Sequence, residues 1–342
     1  MDGTYAVASP AFTTRPPCVR NAGLIPVDIL RAMHPAWGTR AHGPGTVTMH
    51  DMRGVYVVGE GLVFDRNLQL APPSVTQHSP AEIEAARMRL GAALAAGSIP
   101  CHAGRTVLCI KRGASNYGHW LAEMLPVAAL CLPAIQGGAA WVLFPDGPLG
   151  RVPADSLDLL GVPRAQMRAH DGAPVWFERL IVAEGLTRHG HHLSPLVMDA
   201  LDRVAAGVPA GPAARVWVSR AGLARTLWRE GDLCAMLSGM GWTVVQPGGM
   251  PLRDQIALFK GARHVAGVNG AGLTNLAFAP PPARVTSFMP AGMPDTFQWL
   301  LSELRGHDYT EVRCIQGGTP TGPAPWDAAL VEPLPSILSH LT

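Results

Sequence analysis

Two short segments of this 342-residue chain carry side chains whose types and spacing could do chemistry. The first reads Asn116-Tyr117-Gly118-His119-Trp120-Leu121-Ala122-Glu123. On a helix, His119 and Glu123 stand four residues apart and share a face. An imidazole at a helix start with a carboxylate to orient it is the arrangement of a general base. The same spacing also fits a histidine that caps the helix or bonds to backbone, with Glu123 on a solvated face. Trp120, Leu121 and Met124 read as core packing.

The second segment is Gly267-Val268-Asn269-Gly270-Ala271-Gly272-Leu273-Thr274-Asn275. It follows the apolar run His264-Val265-Ala266 and precedes Leu276-Ala277-Phe278, so it reads as strand, glycine turn and helix start. Gly270, Ala271 and Gly272 let backbone N–H groups approach a ligand. The helix would add unpaired donors and the positive end of its dipole, a setting that favours phosphate. A plain strand-to-helix turn has the same appearance, and Asn275 also fits an ordinary helix-start residue.

The elements that must position these segments alternate along the chain. Residues 45–70 break into short β-prone runs separated by Gly59-Glu60-Gly61 and Asp65-Arg66-Asn67, the pattern of a small antiparallel meander. Ser79-Pro80-Ala81-Glu82 is a capping box opening a helix to about Ala96. Strands follow at 105–111, 140–144 and 175–183, with helices at 119–132 and 153–160. The latter is stopped by Gly161. After a histidine-rich loop and a helix at 195–206, Gly207 to Ala214 reads as a linker. Five strands then alternate with helices, at 215–219, 242–245, 264–268, 284–288 and 309–313. Such a Rossmann-like sheet binds ligands at the carboxyl ends of its strands, where Ser219-Arg220 and the glycine turn both fall. The domains are therefore expected at 1–206, including the meander, and at 207–342.

Composition narrows the function. The hydrophobic fraction is 48%, charged residues make up 15%, and the net charge is +2, which argues for a packed globular protein and gives no footprint for nucleic acid. The six cysteines form no Cys-x-x-Cys pair, as expected of buried thiols in a reducing cytoplasm. Asp2 and the absence of a basic start followed by an apolar core give no signal peptide. Residues 124–145 are uncharged, but Pro126, Pro133 and Gly137-Gly138 divide them into helix, turn and buried strand rather than a membrane span. Peripheral membrane association stays open, and nothing specifies an oligomer. Arg188-His189-Gly190-His191-His192 lacks an acidic or cysteine ligand and is not read as a metal site.

Together the two segments resemble glycosyltransferase family 61. Asn116 to Pro126 is similar to that family's Asn-Tyr-x-His-Trp-Leu-x-Glu-x-Leu-Pro signature. The stretch Asp254-Gln255-Ile256-Ala257-Leu258-Phe259, then Ala262 and Gly267 to Asn275, resembles its Glu-Gln-Ile block and His-Gly-Ala-Gly-Leu-Thr-Asn turn. Val218-Ser219-Arg220 is similar to its serine-arginine strand end, with Arg225 and Arg229-Glu230 near its Arg-x-x-x-Asn-Glu element. The likeness covers roughly residues 45–315.

The resemblance implies an α/β, GT-B-like fold of two Rossmann-like domains facing a cleft. It implies an inverting glycosyltransferase that uses a nucleotide-sugar donor, commonly a UDP-sugar, with a glycan acceptor and no bound metal or other cofactor. Consistent with this, no two aspartates lie two apart, so the Asp-x-Asp pair of metal-dependent relatives is missing. The leaving diphosphate then falls to Arg220, Gly270, Ala271, Gly272 and the neighbouring Asn269, Thr274 and Asn275. Arg225 and Gln255 are further donor-side candidates, although Arg225 also fits a solvated helix start and Gln255 a plain cap. His119 is the candidate base with Glu123 orienting it or acting instead, and Asn116 and Tyr117 shape the acceptor side. By analogy the role is cytoplasmic, in surface polysaccharide or glycan assembly.

Two departures stand out. Asn269 occupies the place of the family's histidine, and Arg229 that of its asparagine. The first leaves open a relative that binds a glycan or nucleotide-sugar without turnover. A dinucleotide-dependent oxidoreductase is the other alternative. Against it, the third glycine of its fingerprint is missing at Asn275, and the next strand ends Ser287-Phe288-Met289 without an acidic residue.

Overall fold

The computed structural model describes residues 3–341, so Asp2 lies outside the described residues. The chain forms two compact units. One comprises Met1–Pro10, Pro44–Thr187 and Ser194–Ala206; the other comprises Ala11–Gly43, Arg188–Leu193 and Gly207–Thr342. Both are α/β.

In the first unit, β1 (Gly3–Ser9), β2 (Gly45–Val58), β3 (Leu62–Phe64), β4 (Cys101–Leu108), β5 (Trp141–Pro145), β6 (Met167–His170) and β7 (Val175–Glu184) form one sheet. Its order is β1-β2-β7-β4-β5-β6, with β3 added on β2. Strands β7, β4, β5 and β6 run parallel, whereas β1, β2, β3 and β7 pair antiparallel around β2. The antiparallel meander expected at 45–70 takes the form of the long strand β2 and its hairpin partner β3, built into a mixed parallel and antiparallel sheet. Gly54 takes φ 61° inside β2, and pairing to β7 keeps its register on both sides. The expected turn at Gly59-Glu60-Gly61 is present (φ 62° and 83° at the two glycines), and a Cβ on Gly61 would collide with the Ile110 carbonyl.

The helix Pro80–Ala96 carries the reciprocal capping box of Ser79 and Glu82 and ends at Gly97 with φ 66°. It covers Val58, Leu62 and Phe64 with Ala86 and Leu90. Between β4 and β5 the chain turns as α-helix over Tyr117–His119, π-helix over Trp120–Met124 and α-helix again over Leu125–Leu130. Its π segment is buried on all sides, and the Trp120 indole donates to Ser156 Oγ at 2.9 Å. A π segment shifts the side chains that follow it relative to an unbroken helix, and such segments recur at functional sites.

The second unit contains β8 (Arg215–Val218), β9 (Thr243–Val245), β10 (His264–Val268), β11 (Arg284–Pro290), β12 (Asp308–Gly317) and β13 (Ala329–Val331). The sheet order is β9-β8-β10-β11-β12-β13, parallel up to β12 and antiparallel at β13. The short strand Cys18–Arg20 extends it along β12. Counting from β8, the five parallel strands are ordered 2-1-3-4-5, the doubly wound arrangement whose chain reverses direction of progress between β8 and β10. All of β10 is buried, as its continuous apolar run requires when both faces are covered. The core gathers Trp217, Leu233, Trp242, Phe288 and Val312. Cys109, Cys131 and Cys314 are buried thiols, whereas Cys18 and Cys101 are exposed. Among the described residues, no helix is long and apolar enough to cross a membrane.

Two buried polar groups organise this unit. Arg313 and Glu311 are both fully buried 2.5 Å apart, and Arg313 Nη1 also donates to the Pro290 and Met293 carbonyls at 3.1 and 2.8 Å. Burial pushes the Glu311 carboxyl up, and the Arg313 charge opposes that. His307 accepts the Ala283 N–H at 3.1 Å, and its Nε2 donates to the Leu276 carbonyl at 3.0 Å, so a neutral ring holds the end of the glycine-turn helix. Desolvation lowers the pKa of both His307 and His264 from 6.5 to about 4. The unfolded chain takes up these protons near pH 6.5 and the folded protein only near pH 4. Stability therefore falls as pH drops through that window and levels off below it, by up to about 3 kcal/mol for each histidine. Urea unfolding followed by tryptophan fluorescence should show this loss, and His307→Gln should flatten the slope.

Candidate active site

The second unit builds its site at the switch point. Ser219-Arg220 follows β8 and Asn269-Gly270 follows β10, the two adjacent strands from which the chain winds in opposite directions. The strands approach closely because Gly267 has no side chain; a Cβ there would lie 2.5 Å from the Val218 carbonyl oxygen.

Arg220 is shaped from three sides. Its N–H donates to Glu230 Oε1 at 2.7 Å, and Nε and Nη2 donate to the Ala224 carbonyl at 3.0 and 2.7 Å. Nη1 lies over Gly270, where a Cβ would collide with it. Gly270 has φ 166° and ψ 173°, an extended conformation open to any residue, so glycine is needed here for space rather than for backbone freedom. Burial pushes the Arg220 guanidinium down to about 10, with the neighbouring Arg225 charge adding to the effect. The guanidinium nevertheless stays protonated at neutral pH.

Arg225 Nε lies 3.2 Å from Asp327 Oδ1, and its Nη1 reaches Asn269 Oδ1 at 3.4 Å and Met293 Sδ at 3.3 Å. Its side chain is largely buried, so it is not the solvated arginine that its sequence position also fits. Glu230, buried at the start of the helix Glu230–Gly239, also accepts the Thr226 hydroxyl at 2.6 Å and so closes the loop that carries both arginines. Arg229 is exposed, pairs with Asp232 at 2.6 Å and sits in the left-handed region at φ 59°.

The glycine turn continues as a 3-10 helix, Ala271–Phe278, where the sequence reading expects an α-helix. Eight residues is long for this form, whose runs are usually three or four. Ala271 and Gly272 are half-buried, whereas Thr274 and Asn275 are fully buried. Asn275 Nδ2 donates to Gln255 Oε1 at 2.9 Å and to the Gly272 carbonyl at 3.2 Å, and Gln255 Nε2 donates to the Met250 carbonyl at 3.0 Å. Gln255 and Asn275 thus tie the helix Leu252–Gly261 to the turn from beneath. Asn269 is 1% exposed, and its Nδ2 has no hydrogen-bond partner among the described residues.

The first unit carries the other cluster. Glu123 falls in the π segment with its side chain fully buried, and its Oε1 lies 2.7 Å from His119 Nδ1. Its Oε2 pairs with Lys111 Nζ and lies 3.4 Å from the Thr187 hydroxyl. The alternative of a solvated Glu123 is therefore excluded. A buried carboxylate needs such partners, because desolvation of an unpaired charge costs several kcal/mol. The Nδ1 edge of the His119 ring faces Glu123, which leaves Nε2 as the ring nitrogen turned away from the carboxylate. Gly113, at φ 84°, lies under the ring; a Cβ there would sit 3.1 Å from His119 Cδ2. Glu60 supports that loop by accepting the Gly113 and Ala114 N–H groups at 3.0 and 3.1 Å. Asn116 is exposed and caps the helix, its Oδ1 accepting the Gly118 N–H at 2.8 Å, while Tyr117 is half-buried.

Lys111, Glu60, Glu230 and Asp327 are the partners that sequence reasoning missed. Only Glu230 carried a signal, through its place beside Arg229 in a family-like element. The others meet their partners across 12, 53 and 102 residues, separations that leave no trace in a local pattern.

A doubly wound α/β unit with two arginines at its switch point is a setting that suits an anionic ligand. Residues 117–286 match the model of the family described as Glycosyltransferase 61, so the chain carries a domain of that family. The family indicates glycosyl transfer between a sugar donor and an acceptor. No curated protein matches the chain.

Two substitutions check the local geometry. Gly270→Ala should keep the fold, because its backbone is permissive, but drive the Arg220 guanidinium from its place; a crystal structure and a urea melt read the two effects separately. Arg229→Asn relieves a left-handed arginine at the loss of a surface ion pair of little worth, and should raise unfolding stability by about 1 kcal/mol.

Proposed function

We propose that the protein is an inverting glycosyltransferase of GT-B type that moves a sugar from a nucleotide-sugar, a UDP-sugar in the first instance, to a hydroxyl of a glycan acceptor without a metal. The observation that carries this reading is the placement of Arg220 and the Gly270–Gly272 turn at the carboxyl ends of β8 and β10, within a glycosyltransferase family 61 domain. The second unit then serves as the donor side and the first as the acceptor side.

In this reading the diphosphate lies over the glycine turn, with the Arg220 guanidinium and the first N–H groups of the 3-10 helix against its oxygens. Fixed cations and N–H dipoles in a partly water-excluded place stabilise charge as it develops on the leaving group. The chain has no Asp-x-Asp pair to hold a divalent ion for the same task. On the acceptor side His119 Nε2 takes the proton of the attacking hydroxyl, Glu123 stabilises the resulting imidazolium, and Lys111 holds Glu123 in place. Asn116 and Tyr117 border the acceptor. The acceptor oxygen bonds to the anomeric carbon as the bond to the β-phosphate breaks, which inverts that carbon. The reading suits a role in glycan or polysaccharide assembly.

A panel of nucleotide-sugars assayed for nucleotide release should give turnover with at least one donor. Arg220→Ala should weaken donor binding about tenfold or more, and His119→Ala should cut kcat by about 10²–10³ at unchanged donor affinity. Full turnover by a folded His119→Ala variant would remove the base assignment. Binding without release for every donor, with acceptors present, would make the protein a non-catalytic binder, the outcome to which the uncharged Asn269 points.

A further inference from the structure

Asn269 is buried beside both arginines of the second unit. Its Oδ1 is engaged by Arg225 Nη1 at 3.4 Å, whereas its Nδ2 is buried with no hydrogen-bond partner among the described residues. A buried amide donor left unpaired is costly, and this one lies beside the Arg220–Gly270 turn, where a ligand oxygen would complete it. Arg225 in turn is anchored by Asp327 Oδ1 at 3.2 Å. Asp327 is itself held, its Oδ2 accepting the Ala324 N–H at 3.0 Å, and only a glycine at 322 leaves room for that carboxylate. Arg225 holds its place in the left-handed region at φ 60°, a conformation that arginine seldom adopts and that surrounding contacts must enforce. Gly270, next in the chain, has its carbonyl bonded by Gln298 Nε2 at 3.2 Å and its face covered by Arg220.

We propose that Asp327, Arg225 and Asn269 form a relay that aims the Asn269 Nδ2–H at a diphosphate oxygen and places the Arg225 charge directly behind the neutral amide. Asn269 touches the ligand; Arg225 and Asp327 are positioning residues, and Arg225 supplies the charge that Asn269 lacks. The inference rests on the donor reading above and deepens it. It brings in a residue of the proline- and glycine-rich tail, outside the 117–286 family match, as part of diphosphate recognition. The charged groups around Asn269 are Arg220, Arg225, Glu230 and Asp327.

The test is calorimetric titration of the full chain with UDP and with inorganic pyrophosphate. Asn269→Ala, which leaves Arg225 its ion pair with Asp327, and Asp327→Asn should each weaken both ligands about tenfold, and Arg225→Gln more, with urea melts confirming folded protein. In the double variant R225Q/N269H, a histidine at 269 can carry the missing charge only when protonated. UDP affinity should therefore recover at pH 6 and not at pH 8, relative to R225Q at the same pH, a difference that a purely structural role would not produce. Wild-type affinity in folded Asn269→Ala and Asp327→Asn would overturn the relay while leaving the donor reading intact. Equal recovery at both pH values would overturn the charge role of Arg225. Failure of the wild type to bind UDP, ADP, GDP, CDP or pyrophosphate would overturn the donor reading itself, and the relay with it.

Discussion

Two guanidinium groups must stay charged in a place largely closed to water, and much of the second unit is arranged around that requirement. An unpaired buried cation would cost more than a domain of this size can spare. The Arg220 guanidinium is met by the Ala224 carbonyl, with the Glu230 charge nearby accepting the Arg220 main-chain N–H, and Arg225 is met by Asp327 and Asn269. The loop that supplies Met293 against Arg225 is in turn pinned by the fully buried Arg313–Glu311 pair. Each partner comes from a different element, so the charges also specify how the helix Glu230–Gly239, the loop after β11 and the tail before β13 are placed. Space is part of the same constraint. Gly267 and Gly270 are small because β8 and the Arg220 side chain occupy the volume that their Cβ atoms would fill.

The first unit solves the converse problem with a buried anion. Glu123 lies in a π segment, and the extra residue of that turn brings its carboxylate between Lys111 at the end of the β4 region and His119 one turn back. Lys111 compensates the charge and His119 lies against it. A carboxylate satisfied in this way can stabilise an imidazolium without itself taking the proton, which is what an orienting group requires. The same unit places Glu60 beneath the loop that carries Gly113, so the ring of His119 rests on a backbone that is itself fixed.

Much of the architecture was legible from local patterns. The capping box at Ser79 and Glu82, the glycine stop at Gly161 and the five strands from Arg215 onward are each encoded within a few residues, and all appear. The misreadings share one cause. Residues 45–58 look like short β-prone runs, but pairing first to β1 and then to β7 carries them as one long strand, β2, past the positive φ of Gly54. The segment after Gly270 looks like an α-helix start, but the buried Gln255–Asn275 bond and the His307 bond to the Leu276 carbonyl accompany a tighter 3-10 path. In both, contacts distant in sequence outweigh local propensity, which is the weaker term.

The sequence by itself determined the residue types and their order: the histidine and glutamate four apart, the glycine turn, the serine-arginine strand end and the family that these spell together. Those features are local, and chemistry constrains them at fixed spacing. Only the tertiary structure decided which charges are paired. Arg225 became a buried partner of Asp327 and Asn269, Glu123 a buried anion held by Lys111, and Gln255 a brace for Asn275. Pairing of this kind joins residues from separate strands, helices and loops, and the energy that selects it comes from desolvation in the folded interior, which no stretch of sequence can display.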